Sequence, residues 1–324
     1  MNSNKINIFE FPANLGLKKT EFEIEPGVKF LPAWLKKNEF HDRIKPELTF
    51  TLQPPVYSMD LDKETGVRNT EKIIGYAIRQ AEFLADYLKQ DSFQIIIGGD
   101  CSILIGNALA MKQKGEYGLF FLDGHTDYIL PELSESKQAA AMELGIVTGY
   151  GHERLTNILS LKPYFKESNV WCVGNREYDP DGVKPIMDSD INYFDLDTLR
   201  KIGIENCTFQ FLKMIEENEL DGFFIHLDVD VLNDDIMPAV DSRQNDGLNY
   251  PEFITLLGML LSSPIAIGIE ITILDPNLDK EGKYTEEFVS NFVKVVEIGK
   301  KSVHNKKQMP FRPERPKYSS QRGK

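Results

Sequence analysis

The chain has 324 residues, of which 41% are hydrophobic and 10% aromatic, so it can bury a large core in one α/β domain or in two smaller ones. It contains no run of about 18 apolar residues, and its first residues lack the apolar core of a signal peptide, so no membrane partner is expected. The net charge of −13 disfavours a nucleic-acid partner. Cys101, Cys172 and Cys207 are widely spaced and odd in number, which favours a reducing compartment and a soluble, cytoplasmic protein.

The charge is unevenly distributed along the chain. Residues 300–324 carry nine Lys and Arg against the single acid Glu314, whereas the rest is strongly acidic. No internal repeat or composition break precedes this segment, so the sequence predicts one catalytic domain at 1–299 and a basic tail at 300–324. The tail is interpreted as a solvated terminus that folds back or reaches a neighbouring subunit, with plain disorder as the alternative.

Helical and strand-like patterns alternate along the chain. Apolar positions recur at helical spacing in residues 69–90, 204–219 and 250–263. Short runs rich in Val, Ile and Phe, typical of buried parallel strands, occupy residues 93–100, 117–127, 169–177, 222–232 and 265–273. This alternation predicts an α/β fold with a mostly parallel sheet and helices on both faces.

Polar clusters follow the ends of these predicted strands, where open parallel sheets bind their ligands. Asp123, His125 and Asp127 in "DGHTD" are spaced two apart, as are Asp228 and Asp230 in "HLDVDV". If the chain stays extended there, each set points one way. So many carboxylates in one pocket would repel each other unless cations neutralised them. Carboxylates with an imidazole suit Mn²⁺ best, and bridging carboxylates favour a pair of ions. A solvated turn or a helix cap is the alternative for each motif taken alone.

Four motifs together carry a family resemblance. In order and spacing, "GGDCS", "DGHTD", "HLDVDV" and "IEITILDPNLD" resemble the ureohydrolases, which include arginases, agmatinases and formimidoylglutamases. The resemblance implies a three-layer α/β/α sandwich, a fold also similar to that of the deacetylases. It further implies a two-manganese centre, hydrolysis of the C–N bonds of small guanidino or amidino substrates, and assembly as a homo-oligomer, either a trimer or a hexamer.

The resemblance also implies roles for individual residues. One metal ion would be held by Cys101, Asp123, Asp127 and Asp228. The other would be held by Asp123, His125, Asp228 and Asp230. Asp127 would accept a hydrogen bond from a metal-bridging hydroxide, Glu270 would pair with the substrate guanidinium, and Asp179 would lie near the α-amino group of the substrate. His226, two residues before Asp228, is expected to have a supporting or packing role.

Three positions depart from the family pattern, of which Asn233, in place of the third acid of DxDxxDP, is expected to support a loop at little cost. Cys101 replaces the usual histidine of GGDHS, which resembles a cysteine-bearing branch that includes Nω-hydroxy-L-arginine hydrolases. A thiolate ligand would shift metal preference toward zinc or iron, and a buried non-ligating Cys101 beside a single metal ion is the alternative. Near Ala140, arginases place a proton-shuttling histidine that this chain lacks, and Glu143 and His152 are candidate substitutes.

These features predict a binuclear-metal amidinohydrolase that acts on arginine or a related guanidino compound such as Nω-hydroxyarginine. A formimidoylglutamase-like or agmatinase-like hydrolase is an alternative, as is a catalytically impaired member with a binding or regulatory role. In a further alternative, Cys101 is a metal-independent nucleophile, although nearby acids would raise the pKa of its thiol.

Overall fold

A computed structural model describes residues 1–308 except residues 21, 23, 89 and 90. Within these residues the chain forms eight strands. In chain order they are β1 (Ile6–Glu10), β2 (Leu48–Thr51), β3 (Phe93–Ile97), β4 (Tyr117–Leu122), β5 (Val170–Val173), β6 (Asn192–Phe194), β7 (Gly222–Asp228) and β8 (Ala266–Thr272).

The described residues also form eleven α-helices. They are α1 (Leu31–Lys37), α2 (Phe40–Ile44), α3 (Thr70–Leu84), α4 (Ile103–Lys112), α5 (Glu143–Thr148), α6 (Glu153–Thr156), α7 (Pro180–Met187), α8 (Leu196–Ile202), α9 (Ile204–Glu217), α10 (Tyr250–Ser262) and α11 (Lys283–Gln308). The local sequence explains individual bounds. For example, α10 begins with a capping box, in which Asn249 and Glu252 each accept a hydrogen bond from the other's backbone N–H.

The strands form one sheet in the order β2-β1-β3-β8-β7-β4-β5-β6, and every pairing is parallel. The central strands β3, β4, β7 and β8 are buried along their whole length, as expected for parallel strands covered on both faces. The prediction of a mostly parallel α/β sheet is confirmed.

Two apolar clusters cover opposite faces of the sheet. Side chains alternate between them along a strand, so that Phe223 and Ile225 of β7 belong to one cluster and Phe224 belongs to the other. The first cluster includes residues of α9, α10 and α11, and the second includes residues of α3, α4 and α5. The result is the predicted three-layer α/β/α sandwich.

The predicted boundary between the domain and the basic tail falls at residue 299. Helix α11 continues through that position to Gln308, and the rest of the predicted tail, residues 309–324, lies outside the described residues. Among the described residues, no helix combines the length and the apolar character needed to cross a membrane.

Candidate metal centre

Polar residues lie together along one edge of the sheet, the edge that is formed by the carboxyl ends of the central strands. Cys101 lies in the turn between β3 and α4, Asp123 directly follows β4, and Asp228 is the last residue of β7. Because β4 and β7 are neighbours in parallel register, Asp123 and Asp228 emerge side by side. Sheet topology thus brings together motifs that are more than 100 residues apart in sequence.

The backbone at the two acidic motifs is not extended, contrary to the sequence-based expectation. Strand β4 ends at Leu122 and Asp127 has a φ of 44°, while Val229–Val231 form a 3-10 turn. The carboxylates close these turns themselves. Asp123 accepts a hydrogen bond from the N–H of His125 at 2.6 Å, and Asp228 accepts one from the N–H of Asp230 at 2.7 Å.

Glycine allows the two motifs to approach each other. The N–H of Gly124 donates to Asp230 Oδ1 at 2.9 Å, and a Cβ at Gly124 would lie 2.7 Å from that same oxygen. A larger residue would therefore push Asp230 away from His125.

The titratable side chains at this edge fall into three groups whose donor atoms lie within 4.8 Å of one another. All three groups share Asp123. They are Cys101, Asp123, His226 and Asp228; Asp123, His125 and Asp230; and Asp123, Asp127 and Glu143. All six sequence-predicted metal ligands are thus present at this edge, together with two residues, His226 and Glu143, that the sequence did not assign as ligands.

The first group is the most deeply buried. The Cys101 thiol donates to Asp228 Oδ2 at 2.9 Å and lies 3.1 Å from Thr272 Oγ1. Burial, followed by the charge of Asp228, raises the pKa of the thiol well above its usual range. Cys101 therefore keeps its proton in the metal-free protein, which argues against its acting as a free thiolate nucleophile.

The second group contains a strong ion pair. His125 Nδ1 lies 2.9 Å from Asp230 Oδ2. Burial lowers the pKa of His125, but the charge of Asp230 and the hydrogen bond to it outweigh burial and raise that pKa to about 11. Burial raises the pKa of Asp230, but the charge of His125 and the hydrogen bond to it outweigh burial, so the net shift of that pKa is downward. In the metal-free protein the imidazole of His125 is therefore protonated and carries the positive charge beside Asp230. A divalent ion that binds to His125 would have to displace this proton.

The third group consists of carboxylates alone. Burial, followed by the charge of Glu143, raises the pKa of Asp127 well above its usual range. Glu143 at the start of α5 is fully buried and its pKa is raised strongly as well, chiefly by burial. Glu143 contacts the Asp127 carboxyl group, and neither of its oxygens receives a hydrogen bond from any other group among the described residues. Such a pair holds a proton at neutral pH or is neutralised by a cation.

The orphaned buried atoms test whether this edge fits a metal centre. Asp123 Oδ2, His226 Nε2 and both Glu143 oxygens lack hydrogen-bond partners within the described part of the chain. Buried polar atoms are normally paired, and all four atoms here are of types that bind divalent cations. The donor set therefore fits a metal centre.

A cavity of about 650 Å³ opens directly over these residues. Its walls include His125, Asp127, Asp228 and Asp230, together with Ala140, which occupies the position where the family resemblance places a histidine. Glu177 also lines the cavity, where it accepts hydrogen bonds from the backbone N–H and the hydroxyl of Thr126. The sequence did not single out Glu177, because its neighbours in "GNREYD" carry no metal-ligand spacing.

Two predicted substrate contacts lie elsewhere. Asp179 is exposed and caps α7 through the N–H of Gly182, and it is not among the described residues that line the cavity. Glu270 is fully buried in β8, where it contacts His226 and accepts a hydrogen bond from Asn107. Asp179 thus serves as a helix cap and Glu270 is enclosed by protein, and their contacts with a substrate stay predictions.

Comparisons with known proteins agree with this architecture. The arginase family model matches residues 15–297. An arginase of Staphylococcus aureus is 28% identical over 240 residues, covering 72% of this chain and 79% of its own length. Entamoeba histolytica arginase, solved with L-ornithine, superposes with a TM-score of 0.79 at 22% identity and covers 92% of this chain and 99% of its own. Formimidoylglutamase from Bacillus subtilis gives a TM-score of 0.69 at 18% identity and covers 95% and 88%.

The two structural likenesses lie below 25% identity and support the fold, whereas the family model spans most of the sequence, including every motif discussed above. The chain therefore belongs to the arginase family and is a hydrolase acting on C–N bonds.

Proposed function

We propose that this protein hydrolyses the guanidino C–N bond of arginine or a close relative, such as Nω-hydroxyarginine, at the edge of the sheet described above. The observation that carries the proposal is the convergence of Asp123, His125, Asp228 and Asp230 beneath a cavity large enough for an amino acid. A formimidoyl or agmatine substrate remains the alternative within the same chemistry.

Divalent cations, with Mn²⁺ as the first candidate from the family resemblance, would be held by five of the six ligands that the resemblance implies: Cys101, Asp123, His125, Asp228 and Asp230. The sixth, Asp127, is grouped with Glu143 instead. When bound, such ions supply positive charge that polarises the substrate and lowers the pKa of water. The protein contributes the geometry, because the turns at Asp123 and Asp228 fix their carboxylates by backbone hydrogen bonds.

The departing amine needs a proton, and the chain lacks a histidine at Ala140 to supply it. Of the two substitutes that the sequence offers, His152 instead caps α6 by accepting a hydrogen bond from the N–H of Arg154. Glu143 lies against Asp127, which lines the cavity. We therefore assign the Asp127–Glu143 pair to hold this proton, with Asp127 Oδ as the atom that faces the substrate.

Glu177 is the better placed acid for the substrate α-amino group. Glu177 lines the cavity, and its carboxylate accepts hydrogen bonds from the backbone N–H and the hydroxyl of Thr126, whereas Asp179 caps a helix. Lys18, near the start of the chain, also lines the cavity, and its ammonium group suits the substrate carboxylate. An amino-acid substrate is favoured over a simple polyamine for this reason.

The test combines metal analysis with a substrate panel. Purified protein is stripped with a chelator, reloaded with Mn²⁺, and assayed for release of urea, hydroxyurea or formamide from arginine, Nω-hydroxyarginine, agmatine, guanidinobutyrate and formimidoylglutamate. Activity that requires metal and disappears in Asp228→Asn, but persists in the helix-cap variant Asp179→Asn, supports the proposal. A metal-loaded protein that hydrolyses none of these would overturn it in favour of a binding or regulatory role.

Assembly and location remain predictions. The family resemblance supports a homotrimer or homohexamer, and the three widely spaced cysteines support a location in the cytoplasm. Light scattering coupled to size-exclusion chromatography measures the assembly directly.

A further inference from the structure

His226 is held more rigidly than a packing residue requires. Its ring is fully buried in β7 and stacks on Phe121, with 4.4 Å between ring centroids and an interplanar angle of 9°. Its Nδ1 lies 2.5 Å from Glu270 Oε1, and Glu270 in turn accepts a hydrogen bond from Asn107. The rotation of the ring is therefore fixed on one face and at one nitrogen.

The other ring nitrogen has only a longer contact, with Asp123. Nε2 lies 3.5 Å from Asp123 Oδ2, and both atoms are without a hydrogen bond among the described residues. Metal-bound histidines usually donate their second N–H to a carboxylate, which fixes the ring and makes the ligating nitrogen more basic. The Glu270–His226 pair has that arrangement, with Nε2 left for a metal ion.

Three other side chains place possible metal ligands close to His226 Nε2. Cys101 Sγ, Asp123, His226 Nε2 and Asp228 offer atoms within 4.8 Å of one another, and all four side chains are buried. A donor set of one sulfur, one nitrogen and two oxygens suits a sulfur-binding ion that accepts four ligands, such as Zn²⁺ or Co²⁺, better than Mn²⁺, which prefers an octahedron of oxygens.

We propose that Cys101, Asp123, His226 and Asp228 form a four-coordinate site for a sulfur-binding divalent ion, with Glu270 and Asn107 as positioning residues. This arrangement differs from the one that the family resemblance implies, because His226 enters the ligand set. Asp127 leaves it to pair with Glu143, with which the structure groups it. The proposal rests on the proposed function in that both place metal in this pocket and share Cys101, Asp123 and Asp228 as ligands, but it is tested by metal binding without turnover.

The first experiment is a crossed comparison of two variants. Full-length metal-free protein is titrated with one equivalent of Zn²⁺ against a competing chelator, and with Co²⁺ while the near-ultraviolet sulfur-to-metal band is recorded. His226→Gln is expected to weaken the first zinc equivalent by at least about tenfold and to change the cobalt spectrum. Asp127→Asn is expected to leave both close to wild type. The opposite pattern, with His226→Gln unchanged and Asp127→Asn weakened, overturns the proposal.

His41→Gln is the matched control, because His41 is also a buried histidine bonded to a glutamate, Glu10, outside the metal-donor groups. It removes an imidazole without removing a proposed ligand, so it should bind zinc as the wild type does. A loss in His41→Gln equal to that in His226→Gln would show a general effect on folding and count against the proposal.

A second measurement keeps the proposal falsifiable if His226→Gln fails to fold. In His125→Gln, the three donor groups retain one imidazole, that of His226. X-ray absorption of this variant with one equivalent of Zn²⁺ should show one sulfur at about 2.3 Å and one imidazole nitrogen at about 2.0 Å. Absence of either the sulfur or the imidazole overturns the proposal.

Discussion

His226 and Glu270 are direct register partners on the adjacent strands β7 and β8, and His226 Nδ1 lies 2.5 Å from Glu270 Oε1. Parallel register places both side chains on the same face of the sheet. Their pairing therefore follows from the alignment of the two strands. It assigns Glu270 a positioning role toward the imidazole, in place of the guanidinium contact that the sequence resemblance implies.

Glu270→Gln separates these two roles. If Glu270 orients His226, the amide should weaken zinc binding by about 10–100-fold, as measured by chelator competition, because the imidazole loses its carboxylate partner. If Glu270 instead pairs with the substrate, metal affinity would be unchanged and KM would rise. Glu10→Gln, on strand β1 and outside the donor groups, is the matched control, because it removes the carboxylate partner of another buried histidine, His41.

Glu143→Gln should change how the stability of the metal-free protein depends on pH. The pKa of Glu143 is raised far above its usual 4.5, first by burial. Its stabilising contribution is therefore complete below pH 4.5 and is lost as the pH rises through the folded-state pKa, by at most about 1.4 kcal/mol per pH unit. Glutamine does not titrate, so the free energy of unfolding should fall less between pH 5 and 9.

Urea unfolding at a series of pH values with chelator present measures this difference. The exposed Glu205 on α9 provides the control variant Glu205→Gln, which should follow the wild-type curve. Parallel curves for Glu143→Gln and wild type would show that Glu143 does not carry the proton assigned to it.

Gly99→Ala should disturb the turn that carries Cys101. A Cβ at Gly99 would lie 1.7 Å from the carbonyl oxygen of Ala13, so the turn must move. We expect a loss of about 1–3 kcal/mol in the free energy of unfolding and weaker metal binding, as measured by urea unfolding and zinc titration. Gly75→Ala on the exposed face of α3, where no atom lies within 4 Å of the added Cβ, should instead stabilise by about 0.5–1 kcal/mol. A Gly99→Ala protein as stable as wild type would contradict this account.

Ala140→His should raise the turnover of a substrate that the wild type hydrolyses. Ala140 lines the cavity, and a general acid there is typically worth about 10²–10⁴ in rate. Steady-state assays should show the change in kcat with little change in KM. Ala141→His, one residue further along the same wall, is the positional control. An equal gain from both variants would indicate a nonspecific effect of added base, and no gain from Ala140→His would place the proton donor elsewhere.

The sequence predicted the centre of the sheet but not its edges. Strands β3, β4, β5, β7 and β8 were predicted because their apolar runs are buried on both faces. Strands β2 and β6 were missed because they are edge strands whose side chains are exposed or half-buried. Strand β1 was missed because its Asn7 and Glu10 are polar. They are buried there by hydrogen bonds to Gln94 and His41, which are distant in sequence.

The candidate site shows the same division. The spacing of the acidic motifs was enough to predict five candidate metal ligands, and these lie at strand ends as expected: Asp123, His125, Asp127, Asp228 and Asp230. His226 and Glu143 could not be assigned in this way. The position of the His226 ring depends on its register with Glu270 on the neighbouring strand. The position of Glu143 depends on the start of α5, which packs against Asp127. Both relationships are tertiary, and no local pattern encodes them.

Asp123 contributes to all three donor groups, although a carboxylate has two oxygens. Metal ions that enter this pocket therefore do not bind independently of one another. The first ion to bind uses part of the Asp123 carboxylate and adds its own positive charge to the pocket. By thermodynamic reciprocity, two ions change each other's binding affinity by the same factor. Occupancy will therefore follow a linked equilibrium whose later steps depend on which group fills first.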